Sequence, residues 1–342
     1  MTLGLWLLAA FVALLIAGRS YQLLGAASDR RKYPPPGRMV SVPAGCLHLN
    51  VQGRGAPPVF LEAGIAATSL SWARIQAQVA AYTAAVSYDR GGLGWSDLPK
   101  NPRTVENLLD ELDRVVDATG LPAPFVFAGH SFGGYLLRHY AAYRPAKVAA
   151  LVLVDPMDPG EWSPLTCEGE YRLSRGVMMS RWGARLASIG VVRLALDSLM
   201  AGSRTLPKLI ARGVSTGRGA AVTERLVGEV RKLPSEVWPL VKSHWCQPKN
   251  FLGMAAYLDS LARNSALAPD DTALRDLPLW VISGAHLSPS TLEAHRALAR
   301  HSRRGVHLVA QHSGHWVHLD EPTLVLKIIH DAWDSVRPQP QE

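Results

Sequence analysis

The chain has 342 residues and a formal net charge of +8; 48% of its residues are hydrophobic and 19% are charged. This balance is typical of a globular protein and excludes an intrinsically disordered chain. The three cysteines, Cys46, Cys167 and Cys246, lie far apart without C-x-x-C spacing, so neither a zinc cluster nor a disulfide-dense scaffold is indicated, and one Cys167–Cys246 bridge stays open.

The N-terminal segment Thr2–Gly18, TLGLWLLAAFVALLIAG, contains no charged residue. Its length is at the lower edge of what crosses a bilayer, since a spanning helix needs about 20 apolar residues. The sequence therefore predicts an uncleaved membrane anchor over residues 1–22. Two alternatives remain open. One is a secretory signal cleaved near Gly25-Ala26-Ala27, although it lacks the usual basic n-region; the other is a buried helix of a soluble protein.

A proline-containing linker is predicted over residues 23–38, because the run Tyr33-Pro34-Pro35-Pro36-Gly37 is extended and stiff. Five basic residues follow the apolar segment: Arg19, Arg30, Arg31, Lys32 and Arg38. The positive-inside rule then predicts a single-pass anchor with the catalytic domain in the cytoplasm, while a periplasmic or extracellular placement stays open.

From Met39 onward, apolar runs alternate with helical patterns. The runs predict strands over 47–53, 58–64, 124–129, 149–156, 277–284 and 305–311, and one more that starts at 84. The segment Thr104–Thr119 has apolar residues at helical spacing, and a second helix is predicted through Tyr135–Tyr143. Apolar strands separated by helices are typical of parallel sheets. The chain is therefore predicted to be an α/β protein, with a mostly parallel sheet covered by helices on both faces.

The stretch FVFAGHSFGG at 125–134 places Ser131 between glycines where a predicted strand meets a predicted helix. G-x-S-x-G at such a junction puts the serine on a sharp turn that exposes its hydroxyl, and the helix N-terminus favours negative charge nearby. A glycine-rich turn can also cradle a phosphate, so the bare pattern is only moderately specific. The strand before it and the helix after it favour Ser131 as a nucleophile.

A serine nucleophile needs a base, and three histidines follow the last predicted strand in QHSGHWVHLDEP, residues 311–322. We interpret His315 as the base, because the short Ser313-Gly314 turn before it allows the imidazole to swing over the edge of the sheet. His312 and His318 are interpreted as surface residues, and a position in the pocket stays open for His318.

These motifs together resemble the α/β-hydrolase family over about residues 40–336. The resemblance rests on Gly129-His130-Ser131-Phe132-Gly133-Gly134, on YDRGGLGWSD at 88–97, on Leu61-Glu62-Ala63-Gly64-Ile65 with Trp72, and on Ser313-Gly314-His315. Within the family the chain is similar to a bacterial group that reads L-E-A-G where others read H-G. The resemblance implies an α/β-hydrolase fold in which core segments 39–156 and 274–336 flank a helical cap, 157–273, and are followed by a tail, 337–342.

The same resemblance implies an acid that orients the histidine. Most members of the family carry it after the seventh strand, where this chain reads Ser283-Gly284-Ala285-His286 without a carboxylate. A related branch, the haloalkane dehalogenases, is similar in placing its acid at the end of the sixth strand, and Asp155 occupies that position here. We therefore predict Asp155 as the acid, while Glu293 and Asp158 remain alternatives.

The resemblance also implies an oxyanion hole made of two backbone N–H groups. One belongs to Phe132, the residue after the nucleophile, and the other to Ile65, after the LEAG motif. Glu62 stands where relatives carry a histidine, and the sequence assigns it no role. A buried carboxylate needs hydrogen-bond partners, and Arg90 and the neighbours of Ser131 are the candidates.

This set of residues predicts a serine hydrolase that cleaves a carboxylic ester or similar acyl bond of an apolar small molecule. Serine at the elbow disfavours dehalogenase and epoxide-hydrolase chemistry, which in related branches uses aspartate there. An acyltransferase or cofactor-free enzyme on the same triad, and a slow-turnover ligand-binding receptor, remain alternatives. No metal or cofactor motif is found: Gly91-Gly92-Leu93-Gly94 lacks the lysine and spacing of a phosphate loop. The oligomeric state stays open.

The predicted cap is strongly basic. From Tyr171 to Lys232 the sequence has twelve Lys and Arg residues and three acidic residues. The basic residues, Arg193 among them, alternate with apolar ones, which predicts helices with one apolar and one basic face. The basic face is either merely solvated or rests on a lipid membrane, where each surface Lys or Arg contributes about 1 kcal/mol. Nucleic acid is not predicted as a partner, since no recognition motif accompanies the charge.

Overall fold

The computed structural model describes residues 2–43, 45–202 and 231–338. Its strands are β1 Arg38–Val42, β2 Gly45–Gln52, β3 Val59–Glu62, β4 Ala85–Tyr88, β5 Phe125–His130, β6 Val148–Val154, β7 Leu279–Gly284 and β8 Gly305–Ala310. They form an eight-stranded sheet in the order β1-β2-β4-β3-β5-β6-β7-β8. The pairs β1–β2 and β2–β4 are antiparallel, and the other five pairs are parallel.

Helices cover both faces of this sheet. In the described residues the α-helices are α1 Thr2–Lys32, α2 Ala73–Val79, α3 Val105–Ala118, α4 Phe132–Tyr143, α5 Cys167–Ser188, α6 Val191–Met200, α7 Trp238–Trp245, α8 Pro248–Ser265, α9 Pro289–Arg300, α10 Val317–Asp320 and α11 Pro322–Asp334. On one face Leu112 of α3 belongs to the same buried cluster as Phe127, and on the other Ile329 of α11 belongs to that of Val152. Burying each such side chain stabilises the fold by roughly 1.5–3 kcal/mol. The predicted mostly parallel, two-sided sheet is therefore confirmed.

The predicted strands are all present, with ends that differ by a few residues. The sequence predicts no strand for β1, because its residues RMVSV form no apolar run. In the structure most of these residues are exposed. The helix predicted over Thr104–Thr119 begins at Val105. There the Thr104 hydroxyl caps the helix by accepting a hydrogen bond from the Asn107 N–H.

The N-terminal helix is longer than the predicted anchor. α1 runs for 31 residues, so residues 23–32, which the sequence assigns to the linker, are helical instead. Eight large apolar side chains in its first half are more than half exposed: Leu3, Leu5, Trp6, Leu7, Leu8, Phe11, Leu14 and Ile16. Among the described residues, α1 is the one helix with the length and apolar composition of a membrane span, and a signal sequence would share these properties.

The second half of α1 packs against the segment inserted between β6 and β7. Gln22 and Ala26 are buried there. The Arg193 guanidinium in α6 donates hydrogen bonds to the Gln22 side chain, over 3.0 Å, and to the Asp29 carboxylate, over 2.7 Å. Arg193 is 3% exposed, so it does not belong to the basic face, solvated or resting on lipid, that the sequence predicts for it.

The inserted segment contributes helices α5 to α8. Helix α5 packs closely along α8, because Gly176 and Gly183 leave room for Leu258 and Phe251. Of the basic stretch 171–232, residues 203–230 lie outside the described residues. Cys167 and Cys246 are both free thiols, so the bridge that the sequence left open is absent.

Candidate active site

A sharp turn at Ser131 joins β5 to α4. The backbone of Ser131 has φ 53° and ψ −119°, in a region that residues other than glycine rarely adopt. A Cβ on Gly129 would lie 2.8 Å from the Gly133 backbone, and one on Gly133 would lie 2.6 Å from the Ala63 carbonyl oxygen. The glycines around Ser131 are therefore required by the close approach of strand, helix and the loop after β3.

His315 lies in the loop between β8 and α10 and reaches the turn. Its Nε2 is 3.0 Å from Ser131 Oγ, and its Nδ1 is 2.6 Å from Asp155 Oδ2. His312 is exposed, as predicted, but His318 is buried and its ring stacks on Trp72, so the surface position predicted for His318 is wrong. Burial, reinforced by the nearby His315, lowers the pKa of His318 to about 3, which keeps its ring neutral.

Asp155 follows β6 directly, and both its backbone and its carboxylate are held by the end of β7. Its N–H donates to the Ile282 carbonyl over 2.6 Å, and its Oδ1 accepts from the Gly284 N–H over 2.9 Å. The backbone of Asp155 also has a positive φ, 43°, and the residue is 2% exposed. One carboxylate oxygen is thus fixed by the end of β7, while the other points at His315.

The two alternative acids lie elsewhere. The Glu293 carboxylate is on the exposed side of α9 and pairs with Arg300 at 2.5 Å. Asp158 lies one turn after β6, and its carboxylate accepts from the Gly160 N–H over 3.0 Å. Of the three acids that the sequence left open, Asp155 is the one that the structure brings to His315.

The place of the acid follows from the pairing of neighbouring strands. β6 and β7 are parallel and adjacent, with Val154 beside Ile282. A carboxylate that follows either strand therefore arrives in the same space beside His315. In this chain the turn after β7 has no carboxylate, and its Gly284 N–H supports the carboxylate that follows β6.

A cavity of about 250 Å³ opens beside Ser131. Its apolar lining comes from the core and from the inserted segment: Ile65, Phe132, Met157, Trp162, Leu261 and Leu287. Phe132 is the first residue of α4, and the first N–H groups of a helix have no partner within it. Phe132 and Ile65, the two residues predicted to form the oxyanion hole, border the same cavity as Ser131.

Glu62 and Arg90 form a buried ion pair beside this cavity, and both side chains are at most 2% exposed. Arg90 donates to the Glu62 carboxylate and also to the carbonyl oxygens of Ala63, over 2.6 Å, and of Gly64. Burial raises the pKa of Glu62, and the charge of Arg90 opposes that rise. Arg90, a candidate partner from the sequence, is thus the contact of Glu62, and the pair holds the two residues that precede Ile65.

His130, the residue before the nucleophile, also belongs to the site, although the sequence pattern singles out only its neighbour. Its Nε2 donates to the backbone carbonyl of His315 over 2.8 Å. Burial, reinforced by His318 and His315, lowers the pKa of His130 well below its ordinary value, so the ring is neutral with its hydrogen on Nε2. His130 therefore holds the loop that carries His315.

This arrangement is suited to nucleophilic attack on an acyl carbon. His315 is placed to take the proton of Ser131, and Asp155 is placed to stabilise the resulting imidazolium. Phe132 and Ile65, which the sequence predicts to stabilise a carbonyl oxygen that gains charge, line this cavity. Over residues 2–43, 45–202 and 231–338, no group of three or more His, Cys, Asp or Glu side chains is arranged to hold a metal ion.

Comparisons with known proteins match part of the chain to a family model and to several relatives. A model of the alpha/beta hydrolase fold matches residues 57–171, which include the Ser131 turn. Lipase LipV of Mycobacterium tuberculosis is 28% identical over 229 residues, which cover 67% of this chain and 75% of that protein. An AB hydrolase superfamily protein of Gibberella zeae is 33% identical over 97 residues, which cover 28% of this chain. For five curated relatives, the match spans between 15% and 42% of their own length.

Solved structures match most of the chain. A thermophilic esterase from Thermogutta terrifontis has a TM-score of 0.59 and 21% identity, and the match covers 88% of this chain and 100% of that one. An epoxide hydrolase from Vigna radiata has a TM-score of 0.64 and 19% identity, and the match covers 87% and 97%. At these identities the likeness concerns the fold.

Proposed function

We propose that this protein, which has the α/β-hydrolase fold and whose relatives support an enzyme of the hydrolase type, is a serine hydrolase that cleaves a carboxylic ester or similar acyl bond. The observation that carries the proposal is the line of contacts from Ser131 through His315 to Asp155, at 3.0 and 2.6 Å.

The proposed reaction has two halves. His315 accepts the proton of Ser131 as the oxygen attacks the acyl carbon, and Asp155 stabilises the imidazolium. His315 then gives the proton to the leaving alcohol as the ester bond breaks, which leaves an acyl-enzyme on Ser131. In the second half, His315 takes a proton from water as the water oxygen attacks the acyl carbon, and it returns this proton to Ser131 Oγ as the bond to the serine breaks and the carboxylic acid leaves.

The oxyanion hole is assigned to the N–H groups of Phe132 and Ile65. Removing one such donor from another hydrolase lowers kcat by about 100- to 1000-fold, so the position of the loop that carries Ile65 matters. Glu62 and Arg90 hold the carbonyl oxygens of Ala63 and Gly64 just before it. We place the chain in the bacterial group that reads L-E-A-G on this basis: the glutamate anchors the arginine that fixes the loop.

The substrate is proposed to be apolar, and the inserted segment 157–273 to act as a helical cap. Trp162 and Leu261 of this segment line the cavity opposite Ile65 and Phe132 of the core. Apolar walls favour apolar ligand surface, because burying it releases roughly 25 cal/mol per Å². The apolar part of the lining thus favours esters with aliphatic or aromatic acyl groups, while Asp158, Glu161 and Thr291 form a polar part of the same cavity.

The partner of α1 is proposed to be a lipid bilayer. Its eight exposed large apolar side chains are an unusual surface to present to water, and transfer of such side chains to an apolar phase is favourable by about 1.5–3 kcal/mol each. Arg19, Arg30, Arg31 and Lys32 follow the apolar half, and this asymmetry favours a single-pass anchor with the catalytic domain on the cytoplasmic side.

The proposal is tested by assaying the full-length protein in detergent against p-nitrophenyl esters of increasing acyl length. We expect hydrolysis of esters with apolar acyl groups and none after Ser131→Ala. Adding an alcohol acceptor separates hydrolysis from acyl transfer, since transfer yields a new ester instead of the free acid. A folded wild-type protein that cleaves no ester in the series would refute the proposal.

A further inference from the structure

A row of three polar side chains lies behind the acid. Ser283 Oγ, at the end of β7, is 2.8 Å from Nδ1 of His295 on α9 and 2.9 Å from Nε2 of His307 on β8. His295 Nε2 is in turn 2.8 Å from the carbonyl oxygen of Pro156, the residue after Asp155. Ser283 is fully buried and His295 is 2% exposed, so water does not replace these contacts.

The Pro156 carbonyl, at one end of this row, determines where the hydrogens of the row lie. The Pro156 carbonyl can only accept, so His295 Nε2 carries a hydrogen. Burial lowers the pKa of His295 below its ordinary value, so its ring is neutral and its Nδ1 is an acceptor. The Ser283 hydroxyl therefore donates to Nδ1, and its oxygen accepts from the N–H of His307. The hydrogen bonds therefore run in one direction, from His307 to Ser283, from Ser283 to His295 and from His295 to the Pro156 carbonyl.

Charged groups around the two histidines do not reverse this assignment. The side chains that act on them are Asp155, Asp158, Glu161, Glu293 and Arg296. The three acids near His295 favour its charged form, but burial outweighs them. Burial, His295 and Arg296 also lower the pKa of His307, while Glu293 opposes them. Both rings are therefore neutral near neutral pH.

The segment that carries the acid needs such support. Asp155 has a positive φ, 43°, which a residue with a side chain adopts only when its surroundings hold it there. On the other side of Pro156, the Met157 N–H donates to the Ser131 carbonyl over 3.1 Å. Between them, Pro156 has no N–H, so its carbonyl is the backbone group through which this residue can be held. His295 holds it.

We propose that His295 and Ser283 are positioning residues for the acid: they fix the Pro156 carbonyl and, through it, the direction in which the Asp155 carboxylate faces His315. The proposal rests on the proposed function and adds to its reaction two residues outside the triad. It also gives the turn after β7 a role. This strand end provides the Ser283 hydroxyl, which contacts His295, and the Gly284 N–H, which donates to the Asp155 carboxylate, so both act on the acid that follows β6.

The test uses the full-length protein in detergent and a short p-nitrophenyl ester. His295→Leu removes the donor to Pro156 while keeping a side chain in place. We expect kcat to fall by on the order of 10- to 100-fold, because the acid is displaced, and kcat is the readout since His295 also lines the cavity beside Ser131. The acid limb of the kcat/KM–pH profile should also move to lower pH, since the protonated base loses part of its carboxylate support.

Three further variants make the result specific. His295→Gln retains a donor that can reach Pro156 and should recover most of the lost kcat. Ser283→Ala removes the hydroxyl that orders His295 and should cause a smaller loss in the same direction. The control is His301→Leu at the end of the same helix, where the side chain is 48% exposed and its loss should change neither readout.

Wild-type kcat and an unmoved pH profile in folded His295→Leu would overturn the proposal. Equal losses in the Leu and Gln variants with an unmoved acid limb would also overturn it, because they would indicate packing alone. If His295→Leu does not fold, as judged by near-UV circular dichroism, the same two readouts on Ser283→Ala decide. Failure of the unmutated protein to react with a fluorophosphonate would instead count against the proposed function.

Discussion

The guanidinium of Arg193 in α6 lies 2.7 Å from the carboxylate of Asp29 in α1, and this contact joins the N-terminal helix to the inserted segment. Arg193 is 3% exposed, and it also donates to Gln22 of α1. The second half of α1 is therefore held on the inserted segment by a buried polar contact, in addition to the proline-containing joint that connects the helix to β1.

Two truncations separate the apolar segment from this contact. Deleting residues 2–17 leaves Gln22 and Asp29 in place, so we expect a soluble protein with wild-type ester turnover. Deleting residues 2–32 removes Gln22 and Asp29 and uncovers the face of the inserted segment against which the second half of α1 packs, so we expect a lower Tm and reduced activity. Thermal melts and ester assays on both proteins check this. Equal stability would show that the contact is dispensable, and carbonate-resistant membrane binding of the shorter deletion would contradict a sole anchor in α1.

The assignment of the acid is tested by two matched carboxylate-to-amide changes. Asp155→Asn should lower kcat by about ten-thousand-fold, the loss found for the equivalent change in another Ser-His-Asp triad, because His315 loses its orienting partner. Glu293→Gln, on the exposed side of α9, should leave kcat unchanged. Steady-state kinetics of the two variants provide the measurement, and the reverse pattern would move the acid to α9.

The sequence predicts the parts of the site that depend on local pattern. The turn at Ser131 lies between an apolar run and a helix, and the Ser313-Gly314 turn before His315 is equally local; the structure brings the two residues together. Asp155 needs the additional information that two adjacent parallel strands end side by side. That information came from a family resemblance and not from the residues themselves.

Long-range polar contacts could not be predicted in this way. Arg193 and Asp29 are 164 positions apart, and each lies in an ordinary helical pattern, so nothing in the sequence pairs them. The link between His295 and Pro156 spans 139 positions and is equally hidden. His318 is predicted to be a surface residue because it is polar and follows the last strand in a predicted loop, but its ring packs against Trp72 in the fold. Such contacts depend on how elements pack, which periodicity does not encode.

Glu62→Gln tests the buried ion pair next to the oxyanion hole. The change leaves Arg90 buried without its carboxylate, and breaking a buried pair in this way costs about 3–5 kcal/mol. We expect the free energy of unfolding in urea to fall by that amount, and kcat to fall because the turn before Ile65 is held less firmly. Glu293→Gln is the exposed control and should change neither quantity. A Glu62→Gln protein as stable and active as this control would contradict the role assigned to the pair.

A second buried pair predicts a pH dependence of stability. His48 Nδ1 is 3.0 Å from Asp89 Oδ2, and its Nε2 is 2.6 Å from the Pro36 carbonyl oxygen. Both partners are acceptors, so both ring nitrogens carry hydrogen and His48 is an imidazolium. Burial disfavours both charges, but the Asp89 carboxylate raises the pKa of His48 above 6.5, and His48 lowers the pKa of Asp89 to about 2.

The raised pKa means that the contribution of His48 is fully present below about pH 6.5 and is lost as the pH rises through its folded-state pKa. The lowered pKa of Asp89 means that its contribution is present above about pH 4 and is lost as the pH falls toward 2. We therefore expect His48→Gln to lower Tm more at about pH 5 than at about pH 9. Melts of both proteins at the two pH values check this, and a larger difference at the higher pH would contradict the ion pair.

The central claim is that Ser131 is a nucleophile activated by His315, and reaction with a fluorophosphonate probe tests it most directly. The probe phosphonylates activated serines, and mass spectrometry of the digested protein locates the label. We expect the wild-type protein to be labelled at Ser131. Ser131→Ala should remain unlabelled, with near-UV circular dichroism that shows it folded. A label on another residue, or full labelling of Ser131→Ala, would contradict the claim.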